Sequence, residues 1–278
     1  MGSFSYFCTR NMETTHITNQ MPSLALDFTG KSIDYLVYGN GEKVECGHLA
    51  LDSTIDDYRR AVENAVYDNA FLLSDYESIT AAIHSSHFLI LPQELSDAAM
   101  ARKMMEASFT RLEGDVLLCN VEGTQASVAC DVDGGVVAFL RRTFPGAAVL
   151  HHLAPIIAYC IRAYGEDTAC LHLSIDGSQA HIVVVKQGAL QLANTYPYHS
   201  LDDVVYYALN VWKTCGLDAR RDMLRLSGDN ALRSQLAEQL RQWIANAMPE
   251  VMPAQALQLG RDAMGIPFNL LTLALFQS

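Results

Sequence analysis

The 278-residue chain has no closely spaced pair of cysteines, no long apolar run and no basic stretch. Its seven cysteines, Cys8, Cys46, Cys119, Cys130, Cys160, Cys170 and Cys215, are odd in number and scattered. That excludes a disulfide framework and a C-x-x-C metal or redox motif. Most sit in apolar runs and read as small buried hydrophobes. The longest apolar stretch, Leu153 to Ile161, is broken by Pro155 and falls well short of the ~20 residues of a membrane helix. No charged-then-apolar leader opens the sequence, and Tyr6 stands where a myristoylation signal wants Ser or Thr. Lys and Arg number 19 against 31 Asp and Glu, a net charge of −12. Without a basic stripe, a nucleic-acid surface is excluded, and anionic lipid is a poor partner. No G-x-S-x-G or H-E-x-x-H occurs. A cytoplasmic address without direct membrane insertion is expected.

What the chain does have is apolar material, at 50% hydrophobic and 18% charged residues, enough for a well-filled core. The length suggests about two domains, and an internal repeat says how they relate. At an offset of 147, Leu24 falls on Leu171, Leu26 on Leu173, Gly30 on Gly177 and Val37 on Val184. Gly41 then meets Gly188, Asp56 meets Asp203 and Ala61 meets Ala208. Composition alone predicts roughly two or three such identities. Each copy opens with three strand-like runs joined by Gly-containing turns: Ser23–Phe28, Ser32–Tyr38 and Val44–Leu51, then Cys170–Ile175, Ala180–Lys186 and Leu190–Tyr198. A helix follows each, with stripes Tyr58/Ala61/Val62/Ala65 and Val205/Ala208/Leu209/Trp212.

Later segments keep alternating. Ile79–Ile83, Phe88–Leu91, Asp115–Val121, Gln125–Cys130, Ala147–Leu150 and Met223–Leu226 read as strands. Ser96 to Ala107, Val136–Thr143 and Leu153–Tyr164 read as helices, and Leu270–Phe276 as a short helix or strand. Asp229 is a natural cap for a helix bearing Leu232, Leu236, Leu240 and Trp243.

This plan resembles the actin, sugar-kinase and Hsp70 fold. The segments Leu24-Ala-Leu-Asp-Phe-Thr-Gly30, Phe88-Leu-Ile-Leu-Pro-Gln-Glu-Leu95, Phe144-Pro-Gly146 with His151-His152, and Leu171-His-Leu-Ser-Ile-Asp-Gly-Ser178 carry a narrower likeness. They are similar to a family of uncharacterised actin-like ATPase-fold proteins of Bacteroidetes-type bacteria, a domain of unknown function. More distantly, Gln125–Tyr164 resembles the inserted subdomain of pilus-assembly actin-like proteins. The resemblance implies an α/β protein of two duplicated ribonuclease-H-like halves around a cleft. The expected division is a loose tail at 1–20, a first half at 21–165 with an insert at about 115–152, and a second half at 166–278.

In such ATPases a D-x-G-[T/S] turn in each half holds phosphate with its backbone N–H groups and magnesium with its Asp. The corresponding candidates are Asp27, Thr29 and Gly30, then Asp176, Gly177 and Ser178, with Gly228 at the nucleoside end. The glycine comes one place late in the first turn and one early in the second. The offset pairs Asp27 with Ser174 and Asp176 with Thr29, so the aspartates are not equivalent. They read as ordinary turn residues. Thr29-Gly30-Lys31-Ser32 is no P-loop, because Ala25 replaces the required glycine and a strand follows. His84, His87 and the pair His151-His152 read as structural, with His152 a cap or packing residue. Asp56-Asp57 and Asp202-Asp203 belong to helix starts. Lys31 is the one cation expected near the turns. The expected function is a degenerate, non-catalytic scaffold or interaction module with a protein partner or self-association. The alternative is a genuine Mg-ATP-binding protein or slow ATPase.

Overall fold

A computed structural model describes residues 21–39, 44–259 and 263–276; the expected tail at 1–20, Cys8 and Gly41 lie outside them. The first half opens with β1 (Ser23–Phe28), β2 (Ser32–Tyr38), β3 (Glu45–Ala50), α1 (Tyr58–Asp68) and β4 (Ile79–Ile83). The second half repeats it with β9 (Ala169–Asp176), β10 (Gln179–Lys186), β11 (Ala189–Pro197), α5 (Leu201–Thr214) and β12 (Met223–Gly228), followed by α6 (Asn230–Leu240) and β13 (Ala247–Pro249). With β8 (Ala148–His151) these make two five-stranded sheets of the same plan, β3-β2-β1-β4-β8 and β11-β10-β9-β12-β13. The antiparallel meander is explained by tight turns. Between β10 and β11, Gln187 and Gly188 both have positive φ, 55° and 70°, the geometry that matches strand twist in a two-residue hairpin. The strands β4 and β12 run parallel to β1 and β9 because a crossover helix precedes each.

The offset of 147 survives in the hydrogen-bonded ladders. Leu24 pairs with Val37 and Leu171 with Val184; Val37 pairs with Glu45 and Val184 with Leu192. The central strand β1 is apolar and buried at Leu24, Ala25, Leu26 and Phe28, as a strand covered on both faces must be. The edge strand β3 alternates between exposed and half-buried residues.

On α5, Ser200 caps the first turn and closes a capping box with Asp203, while Asp57 caps α1. The buried face of α5 is Val204, Ala208, Val211 and Trp212. It is rotated slightly from the expected stripe, so Val205 and Leu209 are only half-buried. Trp243 departs further: α6 ends at Leu240, the spacing stops there, and Trp243 is 63% exposed.

Two boundaries differ from expectation. The small three-stranded sheet consists of β5 (Phe88–Pro92), β7 (Ala126–Val132) and β6 (Asp115–Asn120). The helix α2 (Ala98–Ser108) packs on it through Ala101 and Met105. The expected insert at about 115–152 is therefore split. Its strand β8 pairs with β4 in the first large sheet, and the helix α3 (Gly134–Thr143) leads into it. Periodicity finds strands but carries no information about which distant strand each will pair with.

The second difference is at the C-terminus. The helix α7 (Phe268–Leu275) packs on β1, β2 and β4 and on α4 (Leu153–Ala163) of the first half, although chain order assigned it to the second half at 166–278. Six of its eight residues are buried, more than one sheet face can cover, so it sits between sheet and helix. No helix of the described residues is long and apolar enough to cross a membrane.

Candidate functional site

The parallel strands of both sheets end at one cleft of about 710 Å³ between the halves, the usual place for a ligand in such sheets. Asp27, near the end of β1, is 2% exposed. Its Oδ1 lies 3.0 Å from His84 Nε2, and its Oδ2 accepts from Asn269 Nδ2 at 2.6 Å. His84 is the first residue past β4, and its Nδ1 lies 3.7 Å from Asp176 Oδ2 in the second half. The two non-equivalent aspartates are thus brought together by a histidine between them. Burial opposes charge on His84, but the charge and hydrogen bond of Asp27, then Asp176, hold its pKa above the ordinary value. Burial would raise Asp27, yet His84 and the hydrogen bonds from His84 and Asn269 leave it lowered. Asp176 is raised by burial, with His84 opposing.

Behind His84 lies a histidine cluster. His84 stacks on His152, with centroids 4.0 Å apart and rings 14° from parallel. His152 Nε2 is 3.3 Å from His181 Nδ1, which is 2.9 Å from Thr195 Oγ1. His152 leads into α4 without a side-chain cap bond, so packing rather than capping describes it. His151 Nε2 donates to the Ser85 carbonyl at 3.0 Å. Burial pulls His152 far down, His181 to about 3 and His151 to about 4, which keeps all three neutral. Sequence reasoning missed His181. The repeat held one signal: His181 is the counterpart of Asp34, and each is paired across the ladder from the Asp27/Ser174 position.

The first expected phosphate turn is occupied by its own side chain, and the second is bonded at its carbonyls by Tyr198. Thr29 Oγ1 accepts from the N–H groups of Lys31 at 3.1 Å and Ser32 at 2.9 Å. Tyr58 donates to the Thr29 carbonyl at 2.8 Å. In the second turn, Tyr198 donates its hydroxyl to the Gly177 carbonyl at 2.7 Å and its N–H to the Ser178 carbonyl at 3.0 Å. Asp27, Asp176, Gly177 and Gly228 line the cleft, whereas Thr29, Gly30 and Ser178 are not among its lining residues. Gly228 has φ +102°, and a β-carbon there would sit 2.4 Å from the Ile175 carbonyl oxygen. Its glycine serves the close approach of β12 to β9. Asp229 caps α6 through the N–H groups of Ala231 and Leu232, as its turn predicts.

The cleft is acidic. Asp27, Asp34, Asp176, Asp229 and Glu250 line it, against one guanidinium, Arg233. Lys31 is exposed and not part of the lining, which corrects the expected cation. Arg233 follows Asp229 by one helical turn on α6, where its Nη2 donates to Asn230 Oδ1. At the far end, the Glu250 carboxylate accepts from the hydroxyls of Tyr159, at 3.2 Å, and Tyr164. His172 stands 3.3 Å from it. These partners lie far apart in the chain and left no local pattern to read.

A family described as a protein of unknown function (DUF3822) matches residues 10–247. Among solved structures, a Bacteroides thetaiotaomicron protein with an actin-like ATPase fold and unknown function aligns at 20% identity and a TM-score of 0.74, covering 91% of this chain and 96% of that one. The PilM-PilN type IV pilus biogenesis complex aligns at 15% identity and a TM-score of 0.57, covering 91% and 97%. No curated protein matches the chain. At these identities the likeness establishes the fold, which is the actin-like ATPase fold with its duplicated ribonuclease-H-like halves.

Proposed function

We propose, for a chain that belongs to the DUF3822 family of proteins of unknown function, that the actin-like fold serves as a non-catalytic scaffold or interaction module rather than as an ATPase. One observation carries the reading: in the first half, the groups that would hold a magnesium triphosphate already have partners. Both Asp27 oxygens are bound, by His84 and Asn269, and the first turn's N–H groups are given to Thr29 Oγ1. The residues do not fit that group. The charge balance points the same way, since phosphoryl transfer needs preorganised cations and N–H donors around the phosphates. Five carboxylates facing one guanidinium repel a triphosphate. An interaction role agrees with the neighbour solved as the PilM-PilN complex, in which the same fold meets a protein partner. We expect the same kind of occupant here, a protein partner or a second copy.

The second reading, Mg-ATP binding, is favoured by Arg233 in the cleft. Calorimetric titration of the full chain with Mg-ATP separates the two. A flat titration is expected. Micromolar affinity that disappears in both Arg233→Ala and Asp176→Ala would overturn the scaffold reading.

A further inference from the structure

His152 and His181 are 6% and 3% exposed, and they contribute four ring nitrogens to the floor of the cleft. Two of these nitrogens face each other at 3.3 Å. The other two, His152 Nδ1 and His181 Nε2, have no hydrogen-bond partner. A buried polar atom without a partner is costly and uncommon, so side chains alone do not satisfy this cluster. A neutral imidazole offers one lone pair, and burial keeps these rings neutral. His84 supplies a third ring: one nitrogen from each of His84, His152 and His181 lies within 4.8 Å of the others.

Two carboxylates flank the third ring. Asp27 holds His84 Nε2 at 3.0 Å, the carboxylate–histidine arrangement that orients a ligand ring toward its ion. Asp176 Oδ2 lies 3.7 Å from His84 Nδ1. Nitrogen donors disfavour magnesium and calcium, which take oxygen, and favour zinc, cobalt, nickel or copper.

We propose that His84, His152 and His181 form a binding site for a divalent transition-metal ion on the floor of the cleft, with Asp27 as the positioning carboxylate. The three histidines come from different elements: the end of β4, the start of α4, and β10 of the second half. A bound ion ties the two halves together. This inference does not rest on the scaffold reading, since a metal on imidazoles needs no nucleotide.

The test is titration of the metal-stripped full chain with Co²⁺, followed by visible absorption and by NMR of histidine ring protons. One equivalent is expected to give d–d bands of nitrogen-bound cobalt, lost when Zn²⁺ is added, and hyperfine-shifted signals from His84, His152 and His181. Asp27→Asn is expected to weaken binding roughly 10–100-fold, and His181→Ala at least as much. His87→Ala, outside the cluster, leaves it unchanged. The wild-type spectra keep the test decisive if a buried variant fails to fold. No d–d band, hyperfine shifts confined to exposed His48 or His199, or undiminished binding in folded His181→Ala would each overturn the proposal.

Discussion

Gly228 and Gly30 show how different two glycines expected at one nucleotide site can be. A β-carbon at Gly228 would collide with the Ile175 backbone, at a φ of +102°, so Gly228→Ala is expected to cost at least about 2 kcal/mol. At Gly30 nothing lies within 4 Å of a β-carbon, and Gly30→Ala should stay within about 0.5 kcal/mol of wild type. Urea melts of both variants check the contrast, and equal losses would refute it. His172 makes a second prediction. Burial holds its pKa below the ordinary value of 6.5, with Glu250 opposing. Below pH 6.5 the unfolded chain takes up a proton that the folded chain resists, so stability falls as pH falls toward the folded pKa. For one such group the slope is at most about 1.4 kcal/mol per pH unit. His172→Gln is expected to flatten the acid limb of the stability curve by up to that amount, and an unchanged limb between pH 6.5 and 5 would count against it.

At the scale of elements, α5 carries the most legible packing. Trp212 is 5% exposed on the face that covers the second sheet, and Trp212→Ala should cost about 3–5 kcal/mol. Its Nε1 is buried without a partner, so Trp212→Phe removes an unsatisfied donor along with some volume. A loss below about 1.5 kcal/mol is expected there. Denaturant melts that rank Phe no better than Ala would show that ring volume at this position does not decide the packing. The elements themselves were readable because their signals are local: Gly-containing turns between β1, β2 and β3, an acidic first turn at Asp202-Asp203, and the cap at Asp229. The phase of α5 shifted by a residue because its face is chosen jointly by the sheet and by α6.

For the whole molecule, α7 and α4 decide cohesion. The C-terminal helix covers β1, β2 and β4, so chain beyond the second half completes the core of the first. Val183 and Val185 of β10 share that core. A chain truncated after residue 259 is expected to lose near-UV circular dichroism and to bind an apolar dye, because Leu24, Leu26 and Ile157 lose their cover. Retention of native spectra by that truncation would show that the first half closes without α7. With α7 in place, the two halves are expected to unfold in one calorimetric transition.

The sequence by itself determined the duplication, the two meanders, their register at an offset of 147 and the acidity of the chain. Each depends on spacing or composition, which local turns and apolar periods translate directly into strands. The actin-like likeness followed from those same residues. Only the tertiary structure decided that β5 joins β7 in the small sheet, that α7 returns to the first half, and that His84, His152 and His181 meet. Pairing of distant strands and convergence of side chains from β4, α4 and β10 are fixed by how the layers pack, and no window of sequence contains that information. For the same reason the two aspartates, unmatched in the repeat, still face one histidine. Asp27 is near the end of β1 and Asp176 closes β9, and both line the cleft on either side of His84.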